Sequence, residues 1–188
     1  MNLNKITIIL SCSLILITFL FVIFYSSNNR NETLSNENEL FLINVCYIPN
    51  VIRSYKEVSH IYGRQNCLLF RYVQTSCNSC NDKYLNALLT FQDEIGKDNV
   101  WIYSAYPNDR SSKIRLGTEL AKFNYRNIPR DSLFIPVHRG KEISYFAWIN
   151  DSGEIDMVFI PDRDNIRLTQ NFFLEVKEKM KKNLFVDD

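Results

Sequence analysis

Two cysteines three residues apart, Cys77 and Cys80, stand where the hydrophobic pattern of the chain changes from that of a strand to that of a helix. Upstream, Leu68-Leu69-Phe70-Arg71-Tyr72-Val73 has the apolar and aromatic richness of a buried or half-buried strand. Downstream, Cys80, Tyr84, Leu88, Phe91 and Ile95 recur at three- and four-residue steps, placing one apolar stripe on a helix that stops near Gly96. Ser76 as N-cap puts Cys77 in the first turn, among backbone N–H groups that lack intrahelical partners. The partial positive charge there favours a thiolate and lowers a cysteine pKa from about 8.5 toward roughly 3.5–7.5. Cys80, one turn further in, is close enough to close a small disulfide ring and release whatever Cys77 has attacked.

Two cysteines at this spacing also form half of many zinc sites, and they occur as inert core thiols. A zinc site needs a second pair of ligands, and the chain supplies only Cys46, Cys67, His60 and His138, scattered and unpaired. No metal or other cofactor is expected, and His60 and His138 read as structural or surface histidines. A peroxidatic cysteine of the Pro-x-x-x-Thr-x-x-Cys type is not present, because no proline closely precedes Cys77 and Gln74 stands three before it.

Residues 6 to 25 carry no charge and are almost wholly apolar. At 1.5 Å per residue that stretch is long enough to cross a hydrocarbon core of about 30 Å. It is too long for the apolar core of a cleaved signal peptide, about 7–15 residues. Residues 1–25 are therefore expected to be a transmembrane signal anchor, with Lys5 keeping the N-terminus cytoplasmic and the rest of the chain outside, in the periplasm or at the cell surface. Cys12 stands too early in the segment for lipoprotein processing and reads as a small residue in lipid. Residues 26–38, rich in Asn and Ser, form a polar tether. Residues 39–188 are left for a single domain. With 22 Lys and Arg against 21 Asp and Glu, the net charge of +1 points to neither nucleic acid nor a strongly acidic partner.

Along the domain, Glu39–Cys46 reads as an added strand and Tyr55–Tyr62 as a short connecting segment. The strand at Cys67–Val73 leads into a helix over about 78–95, followed by a strand at Val100–Ala105 and a helix from about Lys113 to Phe123. Asn127–Gly140, with Pro129 and Pro136, reads as a loop holding at most an edge segment. A hairpin then joins Ile143–Ile149 to Ile155–Ile160 through Asn150-Asp151-Ser152-Gly153. Thr169 is the expected N-cap of a last helix whose buried face is Phe172, Phe173, Val176 and Met180, with Leu168 and Phe173 as a hydrophobic staple.

This order, β-α-β-α-β-β-α with CxxC at the first strand-to-helix junction, resembles the thioredoxin fold, an α/β architecture with a central mixed sheet flanked by helices. It is most similar to the membrane-tethered TlpA-like and AhpC/TSA-like thioredoxin-family proteins of bacterial envelopes. Residues 145–155, Tyr-Phe-Ala-Trp-Ile-Asn-Asp-Ser-Gly-Glu-Ile, resemble the family's third strand, Asp/Gly turn and fourth strand. The resemblance implies Cys77 as attacking and Cys80 as resolving thiol of a redox-active disulfide, with protein thiols and disulfides as clients.

The chain departs from that family in three places. Thr75-Ser76 stands where an aromatic usually precedes the first cysteine. Ser144 occupies the position of the family's cis-proline, nine before the turn glycine. Because a non-proline cis bond costs about 2.5–4 kcal/mol, the bond before Ser144 is expected to be trans, and restoring a proline there is expected to speed disulfide exchange if the backbone accepts it. Arg71 stands where thioredoxins often bury an acid. Its guanidinium is expected at solvent or on a surface carboxylate, or else turned toward the cysteines, where it would favour their thiolates. Cys46 and Cys67 are expected either to form a structural disulfide or to stay free, with Cys67 buried. The expected function is membrane-anchored thiol–disulfide exchange. The alternative is a non-catalytic thioredoxin-fold interaction or scaffold domain.

Overall fold

The computed structural model describes residues 47–73, 78–162 and 164–184, all within the compact unit Ile43–Asp188. The expected anchor, the tether and the Glu39–Cys46 strand lie outside the described residues. Residues 47–62 form a helix, α1. It is followed by β1 (Cys67–Tyr72), α2 (Asn78–Ile95), a 3-10 turn (Lys97–Asn99), β2 (Val100–Ser104) and α3 (Arg110–Glu119). Then come β3 (Asn124–Asn127), the two-residue strands β4 (Val137–His138) and β5 (Lys141–Glu142), β6 (Tyr145–Ile149), β7 (Ile155–Phe159) and α4 (Ile166–Leu184).

The main sheet has the order β3-β2-β1-β6-β7. β1, β2 and β3 run parallel, as helical crossovers require, while β6 and β7 are antiparallel additions joined by a tight turn. This mixed sheet flanked by helices fits the thioredoxin-like fold. Strand alternation sorts the core into two layers. Phe70 and Phe146, stacked at 4.3 Å, face Tyr84 of α2 and Phe173 of α4. Cys67, Leu69, Tyr145, Ala147 and Ile149 face the other way, onto Val51, Tyr55 and Val58 of α1. The hairpin turn is held by Asn150, whose Oδ1 accepts the Glu154 N–H at 2.9 Å, and by Gly153, whose φ of 76° suits glycine.

Four elements differ from the sequence reading. Residues 55–62, expected as a connection, are the second half of α1; Val51, Tyr55 and Val58 keep its buried stripe, but exposed Ile52 and Ile61 blur the period. α3 begins at Arg110, capped by Asp109, whose carboxylate accepts the Ser112 N–H at 2.8 Å, and it ends at Glu119 instead of reaching Phe123. The residues after it form β3, whose polar Asn-Tyr-Arg-Asn sequence shows no apolar alternation because it is an edge strand. α4 begins at Ile166, so Thr169 is no cap but a fully buried residue of the first turn. Phe172, Phe173 and Val176 are buried as expected, and Lys177 and Lys179 tie the helix to Glu94 and Asp156.

Arg71 is the largest departure. It is fully buried, on the α1 side of the sheet. Nη1 donates to the carbonyls of Tyr103 (3.3 Å), Ser104 (2.9 Å) and Ile128 (3.1 Å), and Nη2 to those of Pro129 (3.2 Å) and Leu133 (3.2 Å). No carboxylate among the described residues forms an ion pair with it, and burial lowers its pKa to about 10, so it stays protonated at neutral pH. The guanidinium fork gathers the end of β2 and the segment after β3 into one cage. The Ser104 carbonyl also accepts the Ile128 N–H and that of Pro129 the Ser132 N–H, and Tyr103 lies in β2 between two paired strands, so Ile128 and Leu133 depend most on the guanidinium. A buried carbonyl left without a donor costs about 1–3 kcal/mol. Arg71→Met is therefore expected to lower unfolding free energy in urea by at least about 2 kcal/mol, and Arg71→Lys, with its three donors, by less. Loss of under about 0.5 kcal/mol in the Met variant would show that the cage does not hold the fold together.

Candidate functional site

Parallel strands bring their C-terminal ends to one edge of the sheet, and the chain leaves that edge from β1 toward the cysteine pair. Val73, Ala105 and Ile135 form a small apolar cluster there. The Ala105 N–H donates to Tyr72 O at 2.9 Å, and the Ile143 N–H to Pro136 O at 2.9 Å. Residues 74–77, Cys77 and the expected cap Ser76 included, lie outside the described residues, as do Cys12 and Cys46. The helix α2 is described from Asn78, so Cys77 immediately precedes it and the backbone of Cys80 stands in its first turn.

Ser144 lies at the same edge, almost fully buried, at the entry to β6. Every peptide bond among the described residues is trans, the one before Ser144 included. Its Oγ accepts the Val73 N–H at 3.1 Å, which ties the start of β6 to the residue leading into the cysteine segment. A proline at position 144 removes that acceptor, so the expected gain in exchange rate from restoring it is set against a lost buried hydrogen bond. Sequence reasoning saw the missing proline and did not see the bond.

Arg71 does not turn toward the α2 side of the sheet. Its guanidinium is held by carbonyls on the α1 side, whereas α2 packs on the opposite side through Tyr84 and Phe91. On the α2 side, Tyr72 and Tyr106 share one carboxylate instead. Glu119 Oε2 accepts from Tyr72 Oη (3.0 Å) and Tyr106 Oη (3.3 Å), while Oε1 pairs with Arg115 Nε at 2.6 Å. Burial raises the pKa of both tyrosines, so they act as neutral donors. Nothing in the sequence marked Glu119, because the contact depends on how α3 crosses the end of β1.

Cys67 is a free, buried thiol, and Cys46, its expected disulfide partner, lies outside the described residues. Burial is the main cause that pushes its pKa up to about 12, against a small opposing pull from Arg64. That makes it inert as a nucleophile. His60 lines an open cleft with Arg64 and Trp101 at the other end of the sheet, and His138 lies in β4. Among the described residues no three His, Cys, Asp or Glu side chains gather as metal ligands, and no helix is long and apolar enough to cross a membrane.

Two predictions follow from these contacts. Ser144→Ala and Ser144→Pro are each expected to destabilise the fold by about 1–3 kcal/mol in urea unfolding; a Pro variant as stable as the native chain would show that the Val73 bond is dispensable. The folded-state pKa of Cys67 is raised from an ordinary 9.0 to about 12, so its contribution to stability is complete below pH 9 and lost as pH rises toward 12. Unfolding free energy is therefore expected to fall between pH 9 and 10 with a slope approaching about 1.4 kcal/mol per unit. Cys67→Ala is expected to flatten that slope; an unchanged slope would contradict the assignment.

No family model matches the chain, and no curated protein matches it. Among solved structures, peroxiredoxin Q of Xanthomonas campestris is similar over 62% of this chain and 81% of that one, with 14% identity and a TM-score of 0.38. The fit to the thioredoxin-like fold rests on the strand order and the connections of the sheet.

Proposed function

We propose that this chain is a thiol–disulfide oxidoreductase with Cys77 as attacking and Cys80 as resolving thiol, tethered by residues 6–25 to a membrane with its domain outside the cytoplasm. The observation that carries the reading is the position of the CxxC in sequence, straddling the start of α2 just after the C-terminal end of the central strand β1. Open α/β sheets use this edge for binding and chemistry, and a helix start is where a thiolate is favoured.

The reaction balances as two exchanges. The Cys77 thiolate attacks one sulfur of a client disulfide, forming a mixed disulfide and expelling the client's other sulfur as a thiolate. The Cys80 thiolate then attacks the Cys77 sulfur, closing the Cys77–Cys80 disulfide and releasing the second client thiolate, which takes up a proton. Two electrons pass to the client, and running both steps backward oxidises a client dithiol. With Arg71 committed elsewhere, the helix start is left to stabilise the Cys77 thiolate. Helix-end effects of about 0.3–2 kcal/mol correspond to a depression of about 0.2–1.5 pKa units.

Iodoacetamide labelling of the reduced full-length chain against pH is expected to modify Cys77 first, with a midpoint below about 8.5, and to spare Cys67. Equal, slow labelling of Cys77 and Cys80 at the ordinary thiol pKa would favour the scaffold reading. Protease added to intact spheroplasts is expected to remove the domain. Protection until the membrane is permeabilised would overturn the topology.

A further inference from the structure

The net charge of +1 conceals a segregation. Residues 107–130 hold six cations, Arg110, Lys113, Arg115, Lys122, Arg126 and Arg130, against two carboxylates, Asp109 and Glu119. These residues build α3, β3 and the segments that leave the C-terminal ends of β2 and β3. Between them lies an open cleft of about 660 Å³ walled by Tyr106, Pro107, Tyr125 and Pro129. Its charged groups are Lys113 and Arg130 against Asp131. Lys113 has no ion-pair partner among the described residues. The Arg130 side chain shares Glu142 at 3.2 Å but remains 46% exposed.

The floor of the cleft is held by a pair of hydrogen bonds. Asn127 Oδ1 accepts the Tyr106 N–H and its Nδ2 donates to the Tyr106 carbonyl, both at 3.0 Å, so this amide is spent on holding the chain after β2. Recognition is left to the aromatic and proline walls and to the cations. The cleft also joins the candidate site: Arg130 Nε donates to Ala105 O at 3.4 Å, and Ala105 packs on Val73, the residue leading into the cysteine segment.

We propose that this cleft docks an acidic segment of a client protein in which an aromatic side chain lies beside the carboxylates, next to the end of β1 from which the chain continues to the cysteine pair. The aromatic ring would lie against Tyr106, Tyr125 and the prolines, with the carboxylates at Lys113 and Arg130. A concave, proline-walled cleft of this size fits a peptide side chain better than a flat lipid surface. The proposal rests on the oxidoreductase reading, since the client is what exchange requires.

The test uses the full-length chain in neutral detergent with Cys77→Ser and Cys80→Ser, so that no exchange occurs. Fluorescence anisotropy follows its binding to two labelled decapeptides that share one tyrosine, one rich in Asp and Glu and the other in Lys. The acidic peptide is expected to bind at least about tenfold more tightly, to weaken about tenfold on Lys113→Glu and less on Lys113→Gln, and to be released by high salt. Equal binding of both peptides, or indifference to Lys113→Glu, overturns the proposal. So does binding of the chain to phosphatidylserine vesicles, lost on Lys113→Glu, when no acidic peptide binds. Exchange with bis(2-hydroxyethyl) disulfide is measured in parallel on the unsubstituted chain. Peptide binding without exchange supports the docking cleft and overturns the oxidoreductase reading, whereas exchange without peptide binding overturns the cleft.

Discussion

The buried guanidinium of Arg71 is the constraint on which the candidate site depends. A cation without a carboxylate partner is costly in a protein interior, and this one is tolerated because five backbone carbonyls surround it. Those carbonyls come from the end of β2 and from the segment after β3, whose Ile128 and Leu133 also pack into the core. By closing that segment over the sheet, Arg71 fixes Ile135 and Pro136 where they meet Val73 and Ile143. A core arginine thus determines the shape of the surface at the C-terminal end of β1.

The same edge shows how polar groups replace features of the family that the chain resembles. Ser144 stands where a cis-proline is usual, and its hydroxyl ties β6 to the end of β1. Arg71 stands where an acid is usual, and a carboxylate reaches the α2 side of the sheet from α3 instead, through Glu119 bound to Tyr72 and Tyr106. Each replacement keeps a backbone or a hydroxyl group satisfied, which is what burial demands of polar groups. In the proposed exchange, thiolate stabilisation would fall to the start of α2 and client selection to the surfaces around it.

What was legible in the sequence was whatever rests on periodicity. The strand at Cys67, the helix over 78–95 and the hairpin around Gly153 each carry a regular apolar pattern or a turn signature, and the structure reproduces them within one or two residues. β3 was not legible, because Asn-Tyr-Arg-Asn at a sheet edge has no buried face to advertise. The start of α3 was missed because Asp109, its cap, precedes a polar first turn, and Thr169 was misread as a cap because a buried threonine and a capping threonine look alike in sequence. The cysteine pair is plain in the sequence as a CxxC, but Cys77 lies outside the described residues and its role is the proposal made above. Arg71, Glu119 and Asn127 act through contacts between residues distant in the chain, and no local pattern announces such contacts. Nor does a net charge of +1 reveal that the cations concentrate on α3 and β3.

The central claim is that Cys77 performs the exchange and Cys80 resolves it. The most direct measurement is capture of the intermediate: the full-length Cys80→Ser chain, incubated with a disulfide-bonded peptide and acid-quenched, is analysed by intact mass and peptide mapping. The account predicts a mixed disulfide through Cys77 that is absent from the Cys77→Ser chain and does not form at Cys67. A Cys80→Ser chain that forms no adduct, or one that forms it equally well without Cys77, would contradict it.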